Sequence, residues 1–229
     1  MSVRKDVRNL TSTEKQNYIK AVKALKADIS PRTGRSIYDE FILWHSNATV
    51  TMDSSDPNPI RAPEALRNAA HQVDNAGNPA SLRREFGLPP RPQTLPNQAK
   101  VDTALGETPY DNSPWNATSS PSHRNRLEGA EGFPEIQLHN RVHAWIGGTM
   151  STVQVSPGDP VFFLHHANVD RIWALWQDRN PRQLYQPVRG GPPGHNVTDF
   201  MYPWKGQATR IRARSAQVLN YRALGYSYA

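Results

Sequence analysis

Two segments constrain this chain more than any other feature. They are Leu138-His139-Asn140-Arg141-Val142-His143 and Asp159-Pro160-Val161-Phe162-Phe163-Leu164-His165-His166-Ala167-Asn168-Val169-Asp170-Arg171. In the first, two imidazoles stand four positions apart, and at about 3.6 residues per turn they leave one helix face toward one point. The second reads as an almost wholly apolar helix carrying adjacent histidines. A helix buried on most sides has no ordinary reason to carry two ring-nitrogen residues. Three imidazoles from two facing helices make a metal site, and all-imidazole ligation suits copper, zinc, iron or nickel.

The rest of the chain sets limits on that site. There is no cysteine among the 229 residues. Disulfides and thiolate ligands are therefore excluded, and any metal sits on nitrogen or oxygen donors. Six Trp, eight Tyr and six Phe supply core material in an otherwise polar sequence. The formal charge of +7 is scattered, with local concentrations only at Arg83-Arg84 and at Arg210, Arg212 and Arg214. It reads as a solvated basic surface, and no nucleic-acid partner is expected. The opening Met1-Ser2-Val3-Arg4-Lys5 runs into polar sequence with no apolar signal, and no stretch is long enough to span a membrane. A soluble protein, cytoplasmic or secreted without a recognisable signal peptide, is expected.

Helices are predicted over 11–27, with Thr11 and Glu14 as a capping box, and over about 36–48, where His45 shares a stripe with Ile37, Phe41 and Trp44. Prolines spread through 51–135 forbid long helices there, although a short one near 62–71 is expected. Further helices are predicted over about 136–146, stopped by Gly147-Gly148, and from Asp159-Pro160 to about 177. The tail through Leu224-Gly225-Tyr226 reads as loop, short helix and a closing aromatic segment. The expected fold class is mainly α: an antiparallel helix bundle with the metal site between helices and long covering loops, in a single domain over 1–229.

The run His139 to Gly148, taken with Asp159 to Trp173, resembles the copper-B half of the tyrosinases, the type 3 copper proteins. The similarity is closest to the compact bacterial tyrosinases of the Bacillus kind. It extends to Tyr110-Asp111, Pro114-Trp115, Arg124-Asn125-Arg126-Leu127-Glu128-Gly129, Met201-Tyr202-Pro203-Trp204 and Leu224-Gly225-Tyr226. The resemblance implies that His139, His143 and His166 are the copper-B ligands and that His165 packs beside them. It implies that Glu128 and Asn140 hold a water that deprotonates an incoming phenol, and that Val153 and Ala144 flank the substrate entrance. For Asp170 two readings stand: an anchor for the helix or a ligand ring, or an ion pair with an arginine such as Arg171.

On the copper-A side the resemblance assigns His45 and His71. The third ligand of that set, carried in the family on an F-L-P-W-H-R helix, has no counterpart, because Gln72 leads straight into Val73-Asp74-Asn75-Ala76-Gly77-Asn78-Pro79. His123 and His195 remain, and both are expected to be surface or loop histidines rather than substitute ligands. The implied activity is copper-dependent oxidation of phenols and catechols to o-quinones with dioxygen, with melanin formation as the default role. The partners are small phenols and dioxygen, with a homodimer by analogy. No C-terminal lid is expected, so the site should be open. The alternative is a type 3-derived protein with a single or altered metal site, either a weak catechol oxidase or a non-catalytic remnant holding an ion such as zinc. A hemocyanin-like carrier ranks behind both.

Overall fold

A computed structural model describes residues 2–53, 82–119, 121–130, 136–201 and 213–229. Its elements in chain order are β1 (Ser2–Arg4), α1 (Ser12–Ala27), α2 (Ile37–Asp53), α3 (Gln98–Gly106), α4 (His123–Glu128), α5 (Leu138–Ile146), α6 (Val161–Arg179), α7 (Ser215–Val218) and β2 (Tyr226–Tyr228), with short 3-10 turns between. The protein is mainly helical, as expected. The chain gathers into two compact units: Met1–Lys5 with Gly87–Trp145 and His165–Ala229, and Asp6–Phe86 with Ile146–Leu164.

The first unit is built on α3, α4, α5 and most of α6. Ala104, Leu105, Leu127, Leu138, Ile172 and Trp176 form its buried core, with Tyr110, Val169 and Trp173 packed against it. Trp176 hangs its indole N–H on the carbonyl of Glu107 at 2.8 Å, so its large apolar body is buried without an orphaned donor. Helix α4 starts on a Ser122 side chain that accepts from the Asn125 N–H and ends on Gly129 at φ 74°. A Cβ on Gly129 would stand 1.7 Å from the Gln137 carbonyl oxygen. Only glycine lets the end of α4 lie directly on the start of α5, and that approach brings Glu128 beside His139.

The unit is tied at its edge by a short parallel ladder, Ser2 to Tyr226, Val3 to Ser227 and Arg4 to Tyr228. The sequence reading treated residues 2–4 as polar lead-in and 226–228 as an aromatic segment. Three-residue strands carry too little periodicity to be seen, and this pairing joins distant parts of the chain.

The second unit holds α1 and α2. The Thr11–Glu14 capping box forms as read: the Glu14 N–H donates to Thr11 Oγ1 at 3.2 Å, and the Thr11 N–H donates to Glu14 Oε2 at 2.8 Å. Helix α2 continues to Asp53, beyond the expected 48. Tyr38 and Ile42 form a small buried core with Val22, Leu43 and Phe163. Asp159 is fully buried; it caps the Val161 N–H at 2.9 Å and pairs with Arg84 through two 2.7 Å bonds. The Asp159-Pro160 start of α6 is thus a local capping signal fixed by an ion pair that the sequence could not show. The expected short helix over 62–71, and His71 with it, lie outside the described residues. Within 82–135, α3 and α4 replace part of what read as irregular chain. Both are short enough to fit between prolines.

Candidate metal centre

Helix α5 presents His139 and His143 one turn apart, and α6 presents His165 and His166. The Nε2 atoms of His139 and His166 are 3.3 Å apart, and those of His143 and His166 are 3.2 Å apart. Ligand nitrogens about 2.0–2.1 Å from a tetrahedral ion lie about 3.3 Å from one another, so both of these spacings match a pair of ligands on one ion.

Proton positions agree. The Nδ1 of His139 lies 3.1 Å from Glu128 Oε2 and 3.0 Å from Asn140 Oδ1. Both partners only accept, so Nδ1 carries the hydrogen and Nε2 keeps its lone pair. A cluster of nitrogens at this separation repels itself unless a proton or a cation sits among them. A carboxylate behind a ligating imidazole is the usual way its tautomer and ring orientation are fixed.

His165 competes for the third place, since one nitrogen each from His139, His143 and His165 also fall within 4.8 Å of one another. The Nε2 of His165, however, lies 3.1 Å from the His139 backbone carbonyl, which can only accept, so that nitrogen is a committed donor. The ring stacks on His139 at 5.2 Å and 13° and meets His143 and His166 edge-on. Burial, followed by the charges of His139 and His143, pushes His165 down to about 3, against the pull of its bond to the His139 carbonyl. It is a neutral wall. His166 Nε2 lies 3.2–3.3 Å from both His139 and His143, while His165, with Nε2 committed to the carbonyl, has Nδ1 left to accept or ligate.

Burial drives the Glu128 carboxyl up, but the hydrogen bond from His139 and the charges of His139, Arg124 and His143 outweigh it and hold it below the usual carboxylate range. Its side chain remains 44% exposed. It faces a cavity of about 230 Å³ whose walls include Tyr110, Arg124, His166, Asp170 and Trp173. Arg124 is held in that wall by Asp111, through Nε at 2.6 Å and Nη2 at 3.2 Å, and by the Asn116 carbonyl at 2.8 Å.

One expectation is corrected and another refined. His123 is no surface histidine. It is fully buried at the start of α4, donates from Nδ1 to the Ala104 carbonyl at 2.7 Å, and stacks on Trp176 at 4.4 Å and 15°. Of the two readings of Asp170, the ion pair with an arginine is the one found, with Arg4 rather than Arg171, whose Nε donates to Asn168 Oδ1 at 3.1 Å. Asp170 accepts from Tyr226, Tyr228 and Arg4. Those three partners were missed; the alternation of Tyr226 and Tyr228 put both rings on one strand face, but nothing local named the acceptor. Ala144 is half-buried on α5. Val153 and His45 belong to the second unit, where Val153 is 58% exposed and His45 sits edge-on to Phe162 at 5.1 Å.

Residues 10–179 match the family described as the common central domain of tyrosinase. The chain belongs to the tyrosinase family. It is 35% identical to a tyrosinase of Streptomyces glaucescens over 262 residues, covering 89% of this chain and 93% of that protein. It is 34% identical to a tyrosinase of Streptomyces antibioticus over 260 residues, with the same coverage. A functional unit of octopus hemocyanin superposes with a TM-score of 0.61 at 18% identity, over 100% of this chain and 68% of that one, a likeness of fold. The copper resemblance read from the histidine helices thus holds at the level of the family. The 262 aligned positions with the first tyrosinase outnumber the 229 residues of this chain. That relative therefore carries residues with no counterpart here, as expected for an internal gap.

Proposed function

We propose that this chain oxidises phenols and catechols to o-quinones with copper and dioxygen, as a tyrosinase or catechol oxidase built on one catalytic domain. The observation that carries the reading is the approach of the His139 and His143 Nε2 atoms to His166 Nε2 at 3.3 and 3.2 Å, with the His139 proton turned away toward Glu128.

Neutral imidazoles serve both Cu(I) and Cu(II), which a redox cycle requires. When bound, copper supplies dioxygen activation and takes the electrons of the phenol. The protein's own contribution is positional. His139, His143 and His166 hold the ion; Glu128 fixes the tautomer of His139; His165 closes one side with a neutral ring against which a phenol can stack. Glu128 and Asn140, on adjoining helix ends, are placed to orient a water that accepts the phenol proton. Ala144 and Val153 are assigned to the entrance, and His45 with His71 to a second copper, on the strength of the family motif alone. Small phenols and dioxygen are the partners; a homodimer rests on family analogy.

One second reading is a protein whose copper-A set is incomplete and which oxidises catechols slowly from a single ion, motivated by the absence of a third histidine motif after His71. Copper analysis per chain, run beside quinone formation from L-DOPA, separates the cases. Two coppers with fast quinone formation support the full site, and one copper with slow turnover supports the altered one. A chain that takes up zinc but no copper and forms no quinone refutes both.

A further inference from the structure

Asp170 stands one turn after His166 on α6, and both line the same cavity. Its Oδ2 accepts from the Tyr226 hydroxyl at 2.9 Å and from the Tyr228 hydroxyl, with Arg4 at 3.3 Å. The phenol oxygen of Tyr228 also lies 3.4 Å from the carbonyl of Ala167, the residue next to His166. Arg4 covers the Tyr226 ring at 3.5 Å. Outward from this node, Tyr221 packs 5.8 Å from Tyr226 and 6.1 Å from Tyr228, and its hydroxyl donates to Asp178 at 2.9 Å. Asp178 is 38% exposed and paired with the exposed Arg222. Three oxidisable phenols thus form one contiguous cluster beginning at the metal-bearing turn, each with its hydroxyl already hydrogen-bonded to a carboxylate, and the Asp178 end of the cluster reaches solvent.

That arrangement exceeds what a clamp needs. Phenol oxidation near neutral pH requires the proton to leave with the electron, because burial and the nearby carboxylates push the hydroxyls of Tyr221, Tyr226 and Tyr228 up and disfavour free phenolate. A carboxylate at hydrogen-bond distance removes that obstacle. A packing tyrosine would be served as well by a backbone carbonyl.

We propose that Tyr226 and Tyr228, with Asp170 as proton acceptor, are an internal electron source that discharges the copper centre when dioxygen is activated with no phenol bound. The inference rests on the copper-oxidase reading above. In each one-electron step the O–H bond of Tyr228 breaks, its proton moving to the Asp170 carboxylate and its electron to the activated oxygen, leaving a neutral tyrosyl radical. The radical passes to Tyr221 as the Tyr221 proton moves to Asp178 and Asp170 reprotonates Tyr228, and a second such step completes the two electrons that take oxygen from the level of hydrogen peroxide to water, with two protons drawn from solvent. After each step a catechol in solution returns one electron to Tyr221, Asp178 hands its proton back, and the catechol releases its own proton to water as a semiquinone. The class of molecule that restores the protein is therefore its own diphenol substrate.

The test uses copper-loaded protein, free of phenols, treated with hydrogen peroxide and frozen for electron paramagnetic resonance. A tyrosyl signal is expected that narrows when the protein is made with ring-deuterated tyrosine. It is expected to vanish in the Tyr226→Phe/Tyr228→Phe double variant, which keeps both rings. Copper content and initial catechol turnover should match wild type, while inactivation by peroxide without phenol should run severalfold faster. Should the double variant fail to fold, Asp170→Asn keeps an acceptor oxygen but takes no proton, and it should lose the signal likewise. Wild-type protein that oxidises catechol yet gives no tyrosine-derived signal, or variants that keep it, overturns the proposal. Protein that binds no copper defeats the underlying functional reading, a separate outcome read from metal analysis alone.

Discussion

Two buried histidines of the first unit make an instructive pair. His123 and His165 are both shielded from water, both stack face-on against a ring, and both donate one nitrogen to a backbone carbonyl. Burial drives both below their ordinary value, His123 to about 4 and His165 to about 3. Yet one lies among three other imidazoles and the other lies in an indole-lined core. Burial and a depressed pKa therefore do not mark a metal site. What marks it is the convergence of lone pairs, with a carboxylate behind one of the rings to set the tautomer.

The sharpest way to break this distinction exchanges losses between the two regions. His166→Ala is expected to lower copper affinity by at least about 100-fold, because removing a ligand costs more than removing a supporting residue. Its thermal stability without metal should stay close to wild type. His123→Ala should do the reverse. It deletes a fully buried ring against Trp176 and is expected to cost about 3 kcal/mol of stability, with copper per folded chain unchanged. Metal analysis and urea unfolding of both variants decide it. Copper loss in His123→Ala protein that is still folded would erase the distinction.

A pH series sharpens the core half. His123 titrates near 4 when folded and near 6.5 when unfolded. Between those values the unfolded chain binds the extra proton, so stability is complete above about pH 6.5 and falls as pH drops toward 4. The loss attributable to this one group is about 3 kcal/mol, on the order of two and a half pKa units. Carboxylates titrate in the same window, so the observable is the difference between wild type and His123→Phe. That difference should shrink as pH is lowered from 7 to 4.5, and a constant difference would refute the assignment.

On the metal side, Glu128→Gln keeps the shape of the side chain and removes its charge. Copper affinity is expected to fall about 10- to 100-fold, measured by competition with a chelator. Unchanged affinity with impaired phenol turnover would mean that Glu128 serves the substrate rather than His139.

How much of this was legible follows from which forces are local. His139 and His143 stood out because helical spacing alone puts them on one face, and His166 because an apolar helix has few uses for imidazole; the structure gathers the three rings. The Thr11–Glu14 box and the Asp159 cap are decided within four residues, and both formed as read. His123 did not read as core, because its burial depends on Trp176, far along the chain. The partners of Asp170 come from both ends of the chain, at Arg4 and at Tyr226 and Tyr228, and no local pattern announces such a meeting. Helix α4 and its stop at Gly129 were not read, because the constraint on Gly129 is the approach of Gln137, which no local pattern shows.

The smallest expected effect asks whether the two regions are coupled. Helix α4 begins with His123 and ends with Glu128, so one short helix joins the core histidine to the metal centre. Its start depends on the Ser122 hydroxyl, which accepts from the Asn125 N–H at 3.2 Å. Ser122→Ala removes that cap and should cost about 1 kcal/mol. Gly129 and the Gln137 carbonyl still lock the far end, so Glu128 should keep its place and copper affinity should not change. Loss of copper affinity together with the stability would show that the start of α4 sets the position of its last carboxylate, and the core histidine would then belong to the machinery of the site.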